Sequence, residues 1–157
     1  MAKAVFAGTF DPFTIGHLDI VNEASKMFEE VYIVIATNDS KSGRQYDAER
    51  MEIAIEEACV AAGLHNCYAA VLPSYMSVIE YAERAEAEFL IRGIRTADDY
   101  AYEEKMAVIN KNLNPNIRTI FIHAHSEISS SLVRVCDKYN RFYQHLVPEA
   151  VRKTFRI

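Results

Sequence analysis

Short apolar runs and longer amphipathic stretches alternate along this chain. Residues 3–7, K-A-V-F-A, read as a first strand. From Ile15 to Phe28 the apolar residues Leu18, Ile20, Val21, Ala24 and Phe28 recur at mixed three- and four-residue spacing, the period of a helix face. V-Y-I-V-I-A, residues 31–36, is almost continuously apolar, as a strand covered on both faces requires. Asp47 can then cap a helix, with Glu49 near the positive end of its dipole. Met51, Ile55, Ala58 and Cys59 share one face of that helix. A weaker strand over 68–72, a helix over 78–87 and a short buried strand over 89–91 follow, the last ending at R-G-I-R. Residues 98–113 read as a helix stopped near Asn114-Pro115. T-I-F-I-H, residues 119–123, is a fifth strand. Serines open a helix from Ser129 to about Tyr139, and Pro148 starts a last short one.

Strict alternation of strand and helix predicts an α/β fold, a Rossmann-like, doubly wound, five-stranded parallel sheet with helices on both faces. No repeat, low-complexity tract or linker divides the chain, so residues 1–157 are expected to form one domain. Such sheets bind ligands beyond the carboxyl ends of their strands, where strand order reverses. The segments after strands one, two, four and five are therefore where chemistry is expected.

Composition narrows the class of ligand. With 17 Lys and Arg against 22 Asp and Glu, the formal charge is -5, which disfavours nucleic acid as a partner but leaves room for a local basic pocket. Three cysteines, Cys59, Cys67 and Cys136, show no C-x-x-C spacing and suggest neither a disulfide framework nor a zinc site. No apolar run approaches the roughly 20 residues needed to span a bilayer. The N-terminal apolar run is too short for a signal sequence. A cytoplasmic protein without membrane partners is expected.

The segment after the first strand, G-T-F-D-P-F-T-I-G-H at 8–17, is richer than a plain connection needs. Gly8 permits a sharp exit from the sheet. Gly16 and His17 fall in the first turn of the next helix, where free N–H groups and the helix dipole favour an anion. Thr9 and Thr14 offer hydroxyl donors, and a bound phosphate would favour the charged form of His17. The stretch is neither a Walker loop nor a G-x-G-x-x-G fingerprint.

This stretch resembles the T/H-x-G-H signature of the nucleotidyltransferase superfamily, and I-S-S-S-L-V-R at 128–134 is similar to its second signature. Thr14 in place of a first histidine, Ser40-Lys41 after the second strand, and I-R-G-I-R at 91–95 followed by D-Y-A-Y-E-E-K-M-A-V-I-N are similar to the bacterial phosphopantetheine adenylyltransferases. The resemblance implies transfer of the adenylyl group of ATP to 4′-phosphopantetheine, with dephospho-coenzyme A and pyrophosphate as products. It implies that Thr9 and Phe10 approach the triphosphate and that His17 stabilises the transition state. Lys41 and Arg92 would bind the acceptor phosphate, Val78 would line that pocket, and Met106 and Asn110 would follow the pantetheine arm. Gly93, Ile94 and Arg95 would contact ATP, with Glu103 near ribose and adenine. His125, Ser126, Glu127, Ile128, Ser129, Ser130 and Ser131 would close over the nucleotide. It further implies a homohexamer. No carboxylate cluster suggests a protein-built metal cage, so Mg²⁺ is expected to ride mainly on ATP phosphates and water.

The residue types suit this chemistry by themselves. In-line attack on the α-phosphorus needs no protein nucleophile, only positioning and charge stabilisation. His17, Lys41, Arg92, Arg95 and the helix start at Ser129 would supply donors. The chain departs from the family pattern at Ala7, at Tyr100-Ala101, at Lys105, and in H-A-H-S-E, which is shortened and lacks an aromatic before I-S-S-S. Other readings are transfer to nicotinate mononucleotide or a polyol phosphate, a nucleotide-binding module without turnover, and a flavodoxin-like carrier. Thr14 with I-R-G-I-R opposes the first, the convergent basic residues oppose the second, and the first loop opposes the third.

Overall fold

A computed structural model describes residues 1–37 and 43–157. Five parallel strands, β1 (Lys3–Gly8), β2 (Glu30–Ile35), β3 (Cys67–Val71), β4 (Phe89–Ile94) and β5 (Arg118–His123), form one sheet in the order β3-β2-β1-β4-β5. The apolar runs are strands because both faces of the sheet are covered. Ala4 and Phe6 of β1 join Ile33, Ile35 and Ile91 in one core, packed by Ile20, Val21 and Ala24 of helix α1 (Ile15–Met27) and by Met51 and Ile55 of α2 (Ala48–Ala61). Val5, Ala7, Val34 and Leu90 point the other way, onto Ile79 and Ala82 of α3 (Val78–Arg84). The predicted α/β sheet with helices on both faces is therefore the observed one.

Helices α4 (Ala97–Leu113), α5 (Ser130–Lys138) and α6 (Glu149–Phe155) complete the order, with a 3-10 turn at Gln144–Leu146 that periodicity did not reveal. The polar caps act as expected. The Asp47 carboxylate accepts the Arg50 N–H at 2.9 Å, a bond worth about 1 kcal/mol at a helix start. Thr14, Ser77, Thr96 and Ser129 cap α1, α3, α4 and α5 in the same way.

Two boundaries differ from expectation by more than one residue. Strand β4 continues through R-G-I to Ile94, because Arg92, Gly93 and Ile94 pair with Phe121, Ile122 and His123 of β5. Ladder bonds to a neighbouring strand override the polar and glycine composition there. Helix α3 stops at Arg84 instead of reaching 87, since Glu86 adopts a left-handed φ of 56°. The first difference bears on the site, for it carries Arg92 and Gly93 inside the sheet instead of on a loop.

The reversal of strand order falls between β1 and β4. The connection from β1 leads to β2 on one side, while β4 lies on the other. Helix α1 leaves from the carboxyl end of β1, so its N-terminus stands at the mouth between these two strands.

Candidate active site

A crevice of about 290 Å³ opens at the carboxyl ends of β1 and β4. Thr9 and His17 border it from the first loop and α1, Arg92, Gly93 and Arg95 from β4 and just beyond, and Ser129, Ser130 and Ser131 from the start of α5. Three segments far apart in sequence thus converge. Glycine makes the approach close at two points. A Cβ on Gly16 would stand 2.9 Å from the Ile128 carbonyl oxygen and 3.2 Å from Ser126 Oγ. A Cβ on Gly93 would stand 2.3 Å from Ile20 Cδ1. Backbone, not side chain, therefore forms these walls.

His17 is oriented by the cap of its own helix. The Thr14 N–H donates to His17 Nδ1 at 3.0 Å, while the His17 N–H donates to Thr14 Oγ1 at 3.3 Å, a reciprocal capping box. Because Nδ1 accepts, the proton of the neutral ring belongs on Nε2. Thr14 is buried and its hydroxyl is committed to this cap, which corrects its expected use as an anion donor. The imidazole stacks on Phe13 at 5.5 Å and meets Phe10 edge-on at 5.0 Å. Desolvation among these rings, and secondarily the Arg95 charge, lower the His17 pKa from 6.5 to about 3. Without ligand the ring is a neutral N–H donor. Phe10 itself is buried, at a left-handed φ of 44°, so its ring belongs to the core.

Arg92 borders two cavities. It lines the main crevice and also a second one of about 140 Å³, where Val78, Met106 and Asn110 gather beside Ala7. The residues expected along a pantetheine arm are thus brought together. The Arg92 guanidinium is held as a fork: Nε donates to Glu103 Oε2 at 2.7 Å, Nη2 to Glu103 Oε1 at 2.8 Å, and Nη1 to the Ala7 carbonyl at 2.7 Å. Glu103 is the buried residue of α4 and lines the main crevice. Its carboxylate is engaged by Arg92 and orients the guanidinium, with one hydrogen bond accepted at each oxygen. Bidentate pairs of this kind fix geometry as well as charge.

The remaining candidates divide. Arg95 is tied to Asp99, with Nε 3.5 Å from Oδ2, and it also reaches the Ile128 carbonyl at 3.5 Å. Ile128 lines the crevice, whereas Ile94, His125, Ser126 and Glu127 are not among its lining residues. His125 and Glu127 are exposed, and Ser126 Oγ is buried without a hydrogen-bond partner. Ser126 Oγ nevertheless stands close to Gly16 at the crevice wall, 3.2 Å from where a Cβ there would lie. Ser129 Oγ accepts the Leu132 N–H, and Ser130 Oγ donates to the Pro12 carbonyl at 2.7 Å. Lys41 lies outside the described residues. Arg134 lines the crevice and was missed as a site residue, although it ends I-S-S-S-L-V-R; it stands one turn after Ser130 and donates to the Asp11 carbonyl at 2.7 Å and to Ser131 Oγ at 3.2 Å. Among the described residues no group of three or more His, Cys, Asp or Glu side chains could hold a metal ion.

Residues 5–135 match the cytidylyltransferase-like family model, which places this doubly wound sheet and its crevice among the nucleotidyltransferases. The chain is 38% identical over 151 residues to a phosphopantetheine adenylyltransferase of Lacticaseibacillus paracasei, covering 94% of this chain and 88% of that one. It is 36% identical to the enzyme of that name from Nautilia profundicola, covering 96% and 97%. Within the wider class, the chain belongs to the phosphopantetheine adenylyltransferase family. The same fold recurs, at 15% identity and a TM-score of 0.70, in a bifunctional NMN adenylyltransferase/ADP ribose pyrophosphatase from Francisella tularensis, covering 93% of this chain and 44% of that one.

The His17 environment has a stability consequence. A histidine whose pKa is lowered on folding takes up its proton more readily when unfolded, so stability is present above the unfolded pKa of about 6.5 and falls as pH drops from there toward about 3. His17→Gln preserves an acceptor at the third position of the capping box but does not titrate. The unfolding midpoint of the ligand-free protein should therefore fall more steeply between pH 7 and 5 than that of His17→Gln. Thermal unfolding of both proteins across that range checks it; parallel curves would contradict the environment described.

Proposed function

We propose that this chain transfers the adenylyl group of ATP to 4′-phosphopantetheine, forming dephospho-coenzyme A and pyrophosphate, the penultimate step of coenzyme A synthesis. The observation that carries this reading is the position of Arg92, which borders both the crevice at the mouth of β1 and β4 and the narrower cavity beside Val78, Met106 and Asn110. A nucleotide in the first and a pantetheine arm in the second would meet at that residue. The name shared by the curated relatives supports the same acceptor.

In this mechanism a phosphate oxygen of phosphopantetheine attacks the α-phosphorus of ATP. The new P–O bond forms as the bond from the α-phosphorus to the bridging oxygen breaks, and that electron pair leaves with pyrophosphate. A phosphate monoester with a second pKa near 6 is largely a dianion at neutral pH, so the attack needs no strong general base. The protein supplies alignment and positive potential. His17 Nε2–H donates to the α-phosphate as charge builds. Lys41 and Arg92 hold the acceptor phosphate, with Glu103 keeping the Arg92 fork in its plane. The main chain at Thr9 and Phe10, together with Gly93, Ile94 and Arg95, holds the nucleotide. Ser129, Ser130 and Ser131, joined by Arg134, serve the departing pyrophosphate, and 125–128 flank the base.

The crevice is lined by cationic, N–H and hydroxyl groups, and its buried carboxylate is engaged by Arg92, a lining that favours a metal carried by the substrate. Mg²⁺ enters as part of the substrate, on the triphosphate and water. No helix among the described residues is long and apolar enough to cross a membrane. We assign the enzyme to the cytoplasm and residues 1–157 to one nucleotidyltransferase domain. A homohexamer accounts for the apolar residues left exposed on α4 and α5, among them Ile109, Leu113 and Val135. A monomer by light scattering would overturn that assembly.

Pyrophosphate release from ATP tests the activity. Phosphopantetheine should support turnover with dephospho-coenzyme A as product, and nicotinate mononucleotide should not; the reverse pattern would overturn the acceptor. His17→Ala should lower kcat by a factor of roughly 10² or more with a much smaller change in ATP affinity, as for loss of a transition-state donor. Near-normal turnover would remove His17 from this role.

A further inference from the structure

Arg44 plays no part in the steps above, yet its guanidinium reaches the first loop. It lies between the segment that carries Lys41 and the start of α2. Nη1 donates to the Thr9 carbonyl, Nη2 to the Phe10 carbonyl at 3.0 Å, and Nε to the Tyr46 carbonyl at 2.5 Å. Bonds also run the other way. The Asp11 carboxylate accepts the Gln45 N–H at 3.0 and 3.1 Å and the Tyr46 N–H at 2.8 Å. Asp11 is buried, so this tie is shielded from water.

What is held is main chain that borders the crevice. Thr9 and Phe10 both line it, and Phe10 keeps a left-handed φ of 44° that a non-glycine residue adopts only where its surroundings impose it. A carbonyl oxygen facing a triphosphate would repel it. Two such oxygens are instead turned onto a cation. In a planar trans peptide the N–H points opposite the carbonyl, so pinning the Thr9 carbonyl also sets the direction of the Phe10 N–H. A planar fork can hold both carbonyls at once, which a lysine ammonium does less well.

We infer that Arg44 is a positioning residue of the transfer reaction, one that keeps the Thr9 and Phe10 carbonyls away from the triphosphate and ties the first loop to residues 44–46 ahead of α2. This rests on the reading of the crevice as the ATP site. Arg44 acts through that loop and does not touch the nucleotide itself.

The test compares wild type, Arg44→Met and Arg44→Lys by titration calorimetry with ATP and by amide hydrogen exchange. Arg44→Met should weaken ATP binding about tenfold or more, the scale of a lost charged hydrogen-bond pair. Exchange should quicken at residues 9–11 and 45–46 while β3 and α3 keep wild-type protection. Arg44→Lys should fall between the two, and it carries the comparison if Arg44→Met does not fold. Wild-type ATP affinity with unchanged exchange at 9–11 in a folded variant would overturn the role of Arg44 alone. A uniform rise in exchange across the sheet would also overturn it, as the mark of a merely structural residue. Failure of the wild type to bind ATP would instead overturn the reading of the crevice, and this inference with it.

Discussion

Val5 pairs with Leu90 and Phe6 with Ile91, so β1 has β4 on one side and β2 on the other. Almost everything at the site depends on that pairing. The chain leaves β1 toward one flank of the sheet and reaches β4 on the other, and the crevice opens at the carboxyl ends of these two strands. The start of α1 stands at this mouth, and its unpaired N–H groups give the crevice a positive character before any side chain is added. Gly93 lets β4 pass close beneath Ile20, and Gly16 lets the Ile128 carbonyl approach the helix start. A side chain at either position would collide with these neighbours and push apart the walls of the crevice.

The groups bordering this mouth are held in advance by one another. Thr14 sets the ring of His17, Glu103 sets Arg92, and Ser131 meets Arg134. Each pairing restricts a side chain that would otherwise lose rotamer freedom on meeting substrate. A neutral imidazole with its proton on Nε2 is suited to receive charge that develops during reaction, because it donates without first drawing a counterion. A fully charged cluster would bind both ground and transition states strongly, and binding them equally gives no acceleration.

Legibility in the sequence followed the range of the interaction concerned. The strands were readable because double-sided burial leaves continuous apolar runs such as V-Y-I-V-I-A, and caps at Asp47 and Ser129 act within three residues. The composition of the first loop and the motif I-S-S-S-L-V-R both pointed to segments that the fold brings to one crevice. The error at Thr14 arose because a threonine hydroxyl near a helix start can serve either a ligand or the helix, and only the reciprocal bond with His17 decides. The fork between Glu103 and Arg92 was not legible, because eleven residues separate the two and their pairing depends on how α4 lies against β4. Arg134 stood inside a motif already noticed but had no assigned partner until the fold brought it to Asp11. Residues 125–127 do not line the crevice, and His125 and Glu127 point to solvent.

The central claim is that adenylyl transfer occurs at the mouth between β1 and β4, with His17 Nε2 facing the α-phosphorus. Diffraction from crystals grown with phosphopantetheine and a non-reactive α,β-methylene analogue of ATP tests it directly. The account requires the α-phosphate within hydrogen-bond reach of Nε2, about 3 Å, and the acceptor phosphate approaching from the side of Arg92, opposite the leaving group. A triphosphate bound elsewhere, or an imidazole turned so that Nδ1 faces the phosphate, would contradict it.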